Sequence, residues 1–174
     1  MKTETQASPD LAKLCRLIEN MASAMLTSIA DEGALVSRPM APLEMDRHGA
    51  LWFFTDLHSG KVEHLRFLNL AFTDPSRGTY VSLSGHGEIA TDRGRIDRLW
   101  TTFARPWFPA GPDSPNLALL RFVPEAAEYW DAPHSKMVRL FAMAASVSSG
   151  KPVGLGEHET MTALSPSWPV RTWQ

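Results

Sequence analysis

Cysteine is nearly missing: the 174-residue chain has one, Cys15. No intrachain disulfide can form, and a tetrahedral thiolate zinc site is excluded. Surplus charge is missing too. Lys and Arg number 17 against 19 Asp and Glu, a formal net charge of −2. A general nucleic-acid binder or a polybasic membrane anchor needs excess cations, so both classes are disfavoured and neither nucleic acid nor membrane is an expected partner. No uninterrupted apolar run approaches membrane-spanning length, and the opening MKTETQASPD lacks the apolar stretch of a secretory signal. A soluble cytoplasmic protein is the expectation.

Against those absences stand an ordinary globular composition, 44% hydrophobic and 21% charged, and a surplus of proline (13) and tryptophan (6). The length suits one domain with a self-sufficient core. The expected division is a flexible tail over 1–8, one domain over 9–150 and a poorly packed Gly-, Pro- and Ser-rich tail over 151–174. Ser8-Pro9-Asp10 is a helix start, with Leu11, Leu14, Ile18 and Met21 at helical spacing to about Ala22. Cys15 beside that stripe reads as a small buried hydrophobe.

Short strands follow. Met25–Ala30 and Ala34–Glu44 flank the turn Asp31-Glu32-Gly33, and Asp46–Gly49 turns into Leu51–Thr55. Ser59 can cap a short helix carrying Val62, Leu65 and Leu68, before a strand at Leu70–Thr73. Thr79–Thr91 alternates with period two, and Asp92 caps a helix with Ile96, Leu99, Trp100 and Phe103 on one stripe. Leu117–Val123 and Ala127–Trp130 read as two strands broken by Pro124, and Met137–Val147 as a further strand or helix. Hairpin-linked strands with few intervening helices predict a mainly β, α+β fold: an antiparallel barrel with accessory helices.

The familiar catalytic strings fail on context. Gly85-His86-Gly87-Glu88-Ile89-Ala90 fits a dinucleotide-binding spacing, but its glycines sit inside a strand with no helix N-terminus after them. Mid-strand glycines allow a bend or the close approach of another backbone. His158-Glu159-Thr160-Met161-Thr162 lacks the second histidine of a zinc helix, so no metal is expected.

Two places remain informative. Arg38 shares a strand face with Val36 and Met40, beside Pro39 and Pro42. A guanidinium there either finds an anion or reaches along an edge strand to water. The run Phe53-Phe54-Thr55-Asp56-Leu57-His58-Ser59-Gly60-Lys61 ends a strand in a hydroxyl, and a short loop then delivers Ser59, Gly60 and Lys61 at an expected helix N-terminus. That is either a phosphate cradle or simple capping with a solvated lysine.

These stretches, with Tyr80–Gly85, Asp92-Arg93, Leu99-Trp100, Trp107-Phe108-Pro109, Leu119-Leu120-Arg121 and Glu128-Tyr129-Trp130-Asp131, resemble the pyridoxamine 5′-phosphate oxidase-like flavoproteins. The general stress protein branch is the most similar. The resemblance implies a split β-barrel that forms a homodimer and holds FMN at the subunit interface, with FAD or riboflavin as alternatives. It places Arg38 and Lys61 on the phosphate, Thr55 and Ser59 as hydroxyl donors, and Phe54 and Met40 along the ring. Tyr80 and Trp130 would line the site, and Trp107 and Phe108 would contact the ring. It names no catalytic residue. The run Pro133–Arg139 departs from the substrate-phosphate stretch of true pyridoxamine phosphate oxidases, so vitamin B6 oxidation is not expected, although His134 and Arg139 could meet another anion. The expected function is flavin redox chemistry on an unidentified partner, set against a flavin carrier or sensor and a flavin-free interaction module.

Overall fold

The computed structural model describes residues 1–131, 146–147, 157–162 and 164. The expected element at Met137–Val147 lies almost wholly outside the described residues, as do His134 and Arg139. Among the described residues nine strands form one sheet: β1 (Lys2–Thr3), β2 (Ala24–Ile29), β3 (Leu35–Met40), β4 (Glu44–Met45), β5 (Leu51–Asp56), β6 (Leu68–Asp74), β7 (Thr79–Ala90), β8 (Leu117–Asp131) and β9 (Glu157–Thr162). Their spatial order is β1-β4-β5-β8-β7-β6-β2-β3, with β9 beside β8. Every pairing among them is antiparallel except β1 with β4. The helices α1 (Pro9–Ile18) and α2 (Arg93–Leu99) pack on this sheet in a mainly β split barrel, the fold class the hairpin pattern predicted. No helix among the described residues is long and apolar enough to cross a membrane.

The long strands β7 and β8 are shared by both halves. Leu26, Leu70, Phe72, Val81, Leu83, Leu120, Phe122 and Tyr129 meet in the main core, which α1 closes with Leu14, Cys15 and Ile18. On the opposite face of β5 and β8, Trp52, Leu117 and Leu119 meet Ile96, Leu99, Ala104 and Phe108 in a second core beneath α2. Strands buried on both faces lose the clean alternation of a half-exposed strand, as Leu117-Ala118-Leu119-Leu120 illustrates. Burial raises the Cys15 thiol pKa, with Glu19 adding to the effect, which fits an inert packing residue.

Four expectations need correction. The helix after Asp92 stops at Leu99, and Phe103 lies in a separate 3-10 turn, 86% exposed. Trp100 leaves the helix because its ring packs on Phe54 instead, at 5.6 Å between centroids. The segment after Ser59 forms only a 3-10 turn, Gly60–Glu63, and Leu68 opens β6. Pro124 does not divide two strands: β8 runs through it, with a bulge opposite Ser84/Gly85. Its missing N–H costs little there, because β8 pairs with β5 through Phe122 and with β9 only from Ala126.

Finally, parts of both expected tails pair into the sheet. Lys2–Thr3 lies along β4, and Glu157–Thr162 along β8 with Met161 buried in the main core. The buried Tyr129 hydroxyl donates to Glu159, which also takes an ion pair from Lys13 of α1 at 3.2 Å. Those contacts hold the Glu159 carboxyl below its ordinary 4.5, the Tyr129 bond contributing most. Burial, then the Glu159 bond, pushes the Tyr129 phenol above its ordinary 10.0. A depressed carboxyl contributes stability above its ordinary pKa and loses it as pH falls through the lowered value; a raised phenol loses its share as pH climbs past 10. Melting temperature against pH should therefore show a plateau with an acid limb below about pH 4. Glu159→Gln should be less stable at neutral pH and flatter on that limb. Parallel limbs for both proteins would show that Glu159 does not carry this dependence.

Candidate functional site

β3 turns Val36, Arg38 and Met40 inward and leaves Leu35, Ser37 and Pro39 outside. Arg38 is half-buried opposite Leu26, and its Nη1 reaches Ser28 Oγ at 3.5 Å, the limit of a hydrogen bond. Among the described residues no carboxylate pairs with it. A part-buried cation without a counter-ion is costly unless an anion or water completes it. Met40, on the same face, is packed into the main core.

The second element of the site is the end of β5. Thr55 is buried, and its Oγ1 has no hydrogen-bond partner among the described residues. A buried hydroxyl left unpaired costs about 1–3 kcal/mol, so Thr55 is a candidate donor to a bound group. Beyond it, Asp56 accepts from the His58 N–H, Ser59 donates its N–H to the Asp56 carbonyl, and Ser59, Gly60 and Lys61 enter the 3-10 turn. A single 3-10 turn offers local N–H groups rather than a helix dipole, which weakens the helix part of the expected cradle. The Lys61 side chain lies outside the described parts of that turn.

The aromatic candidates fall in two further places. Phe54 points into the second core, with Phe108 at 6.4 Å and Trp100 at 5.6 Å between ring centroids. Phe108 is buried there, whereas its neighbour Trp107 is 74% exposed. Tyr80 and Trp130 are direct partners on β7 and β8, both about 42–43% exposed on the outer face of the sheet. Trp130 stacks on His158 of β9 at 4.8 Å and 17°.

The ten candidates thus fall in four places: Arg38, Met40 and Thr55 on the main-core face of their strands; Phe54 and Phe108 beneath α2, with Trp107 outside; Tyr80 with Trp130 on the outer face; and two on the turn after β5. Lys61 and Ser59 sit on the turn after β5. Sequence reasoning missed Ser28 and His158. Ser28 had a legible signal, one residue of its strand lying opposite the Arg38 strand on the inward face; His158 had none, because its strand reads as polar tail.

Comparisons with known proteins agree with this fold. The family described as pyridoxamine 5′-phosphate oxidase like matches residues 9–153. Protein bli-3 of Neurospora crassa is 28% identical over 148 residues, covering 78% of this chain and 71% of that one. A candidate general stress protein 26 from Jannaschia sp. CCS1 superposes with a TM-score of 0.70 at 29% identity, over 89% of this chain and 99% of the other. A general stress FMN/FAD binding protein from Xanthomonas citri gives 0.62 at 30% identity, over 74% and 93%. The order of the motifs from Arg38 to Trp130, the split barrel that carries them and the match over most of the chain converge: this protein belongs to the pyridoxamine 5′-phosphate oxidase-like family.

Proposed function

We propose that this protein is a flavin protein of the general stress type that binds FMN through its phosphate, in a site completed by a second copy of the chain. The observation that carries the phosphate is a pair of groups left unsatisfied among the described residues: Arg38 without a carboxylate partner there and Thr55 Oγ1 without a hydrogen bond there. A phosphate, rich in acceptor oxygens, would suit either group, accepting from the guanidinium N–H groups or from the Thr55 hydroxyl. Ser59 and Lys61 on the adjoining turn add a hydroxyl and a cation to the same reading. Bound FMN would supply hydride or single-electron chemistry, while the chain fixes its position and limits water access.

The dimer reading rests on a face of the sheet. The outward positions of four adjacent strands are Leu35, Ser37 and Pro39; Met25, Thr27 and Ile29; Asn69, Ala71 and Thr73; and Tyr80, Ser82 and Ser84. None is charged, in a chain with 21% charged residues. Thr27 with Ser37, and Asn69 with Ser82, bond laterally at 2.7 and 2.8 Å, which leaves a flat surface with its polar groups partly satisfied. A surface without charge can face its own copy without repulsion. Strand geometry gives it about 20 by 20 Å, half of the roughly 800 Å² per partner in a standard interface, so neighbouring segments must add the rest. Tyr80 sits on this face and Trp130 beside it, so in such a dimer these aromatic groups would lie at or next to the seam between the two copies.

The test is FMN titration of the purified chain by flavin fluorescence, with riboflavin alongside, on the wild type and on Ala71→Glu. The variant puts a carboxylate at the centre of the face, where two copies would oppose like charges at a cost of several kcal/mol. Wild type should bind FMN more tightly than riboflavin and run as a dimer in light scattering. Ala71→Glu should run at the mass of one chain and lose FMN affinity. A wild type that binds neither flavin would refute the cofactor reading, and a dimer unchanged by Ala71→Glu would refute this face. Sustained oxidation of reduced nicotinamide by the loaded protein supports the redox function; reduction without turnover supports a carrier or sensor.

A further inference from the structure

We infer that His158, on the C-terminal strand, is a positioning residue for Trp130, holding its indole in the orientation that the flavin site uses. The inference rests on the placement of Trp130 at that site. His158 lies outside the segment 9–153 that the family match covers, so membership of the family does not account for it.

β9 divides its residues between two tasks. Glu159 and Met161 lie on the Tyr129 face, where Met161 joins the main core and Glu159, itself exposed, receives the Tyr129 hydroxyl and Lys13. His158 turns outward, directly opposite Trp130 across the β8–β9 ladder. The imidazole and indole lie nearly parallel, 4.8 Å apart at 17°. Six consecutive residue pairs, from Ala126 with Thr162 to Asp131 with Glu157, fix the strand beneath them. The imidazole therefore stands on a platform anchored to α1, β8 and the core.

An indole left 42% exposed on a sheet has little packing to choose among its rotamers. Tyr80 borders it on β7, and the histidine ring borders it on β9. A stacked ring removes the rotamers that would swing toward β9 and leaves the other indole face available to a planar ligand. A side chain ordered before binding does not have to be ordered by the ligand, and avoiding that cost is worth about three- to tenfold in affinity. His158 is itself exposed, so the stack adds little to folding. The arrangement is better suited to ordering Trp130 than to stabilising the barrel.

The experiment compares full-length wild type, His158→Ala, His158→Phe and Trp130→Ala by FMN titration and thermal melting. His158→Ala should weaken FMN binding about three- to tenfold with its melting temperature unchanged. His158→Phe, which keeps a stacking ring and removes the imidazole nitrogens, should return affinity to within about twofold of wild type. Trp130→Ala should lose at least as much as His158→Ala. Wild-type affinity in His158→Ala, with a loss in Trp130→Ala, would overturn the positioning role and leave the site intact. Wild-type affinity in Trp130→Ala would overturn the placement of the tryptophan, and the inference with it. A His158→Phe protein as weak as His158→Ala would overturn stacking as the cause.

Discussion

Arg38→Ala should lower FMN affinity by about tenfold to a hundredfold while leaving riboflavin affinity where it was. A charge-assisted contact to phosphate is worth roughly 1.5–3 kcal/mol, and each 1.4 kcal/mol is a factor of ten in the dissociation constant. Riboflavin has no phosphate for the guanidinium to hold, so the two ligands separate a phosphate contact from general damage to the pocket. Stability provides the second control. Among the described residues Arg38 has no carboxylate partner and a single 3.5 Å approach to Ser28 Oγ, so its removal there takes away few native interactions and relieves a part-buried charge. Without flavin the variant should melt within a few degrees of wild type. A large fall in melting temperature would make Arg38 a structural residue; equal loss of both flavins would move the phosphate elsewhere. Arg38→Lys should recover part of the affinity, because it keeps the charge and loses the planar fork.

The inward guanidinium was legible because β3 obeys period two and Arg38 falls in phase with Val36 and Met40. That no described carboxylate pairs with it was not, since a partner can come from any strand that folds over it. Thr55 repeats that division. Its place at the end of an apolar strand can be read, but an unpaired hydroxyl is a property of the three-dimensional surroundings. Helix α1 follows directly from its cap: Ser8 accepts the Leu11 N–H, Pro9 stands in the first turn, and the apolar stripe is buried. The helix after Asp92 has equally good local signals and ends early, because Trp100 and Phe108 converge on Phe54 and tertiary packing outweighs the stripe. β9 escaped notice for a related reason. Five of its six residues are polar, and pairing with β8 plus the single apolar anchor Met161 decides its conformation.

Gly85 gives the largest expected loss of stability. At the β8 bulge Glu125 is the extra residue, and the chain on its N-terminal side brings the Val123 carbonyl against the Gly85 Cα. A methyl group added to Gly85 would overlap the Val123 oxygen and stand 3.1 Å from Phe122 Cζ. A crowded side chain can rotate away, but here the obstruction is backbone held in the ladder. Relief requires β7 and β8 to separate where Leu83 and Phe122 pack into the main core. Gly85→Ala should therefore cost about 3 kcal/mol or more, at or above the usual range for overpacking. For a chain of this size that lowers the melting temperature by about 6–12 °C. Gly60→Ala is the matched control: no atom lies within 4 Å of its added methyl group, and its backbone needs no positive φ. That variant should melt at or slightly above wild type, by up to about 1 kcal/mol of stability, because alanine restricts the unfolded chain. Equal melting of Gly85→Ala and wild type would mean that the bulge yields, and that Gly85 is not what sets the close approach of β7 and β8.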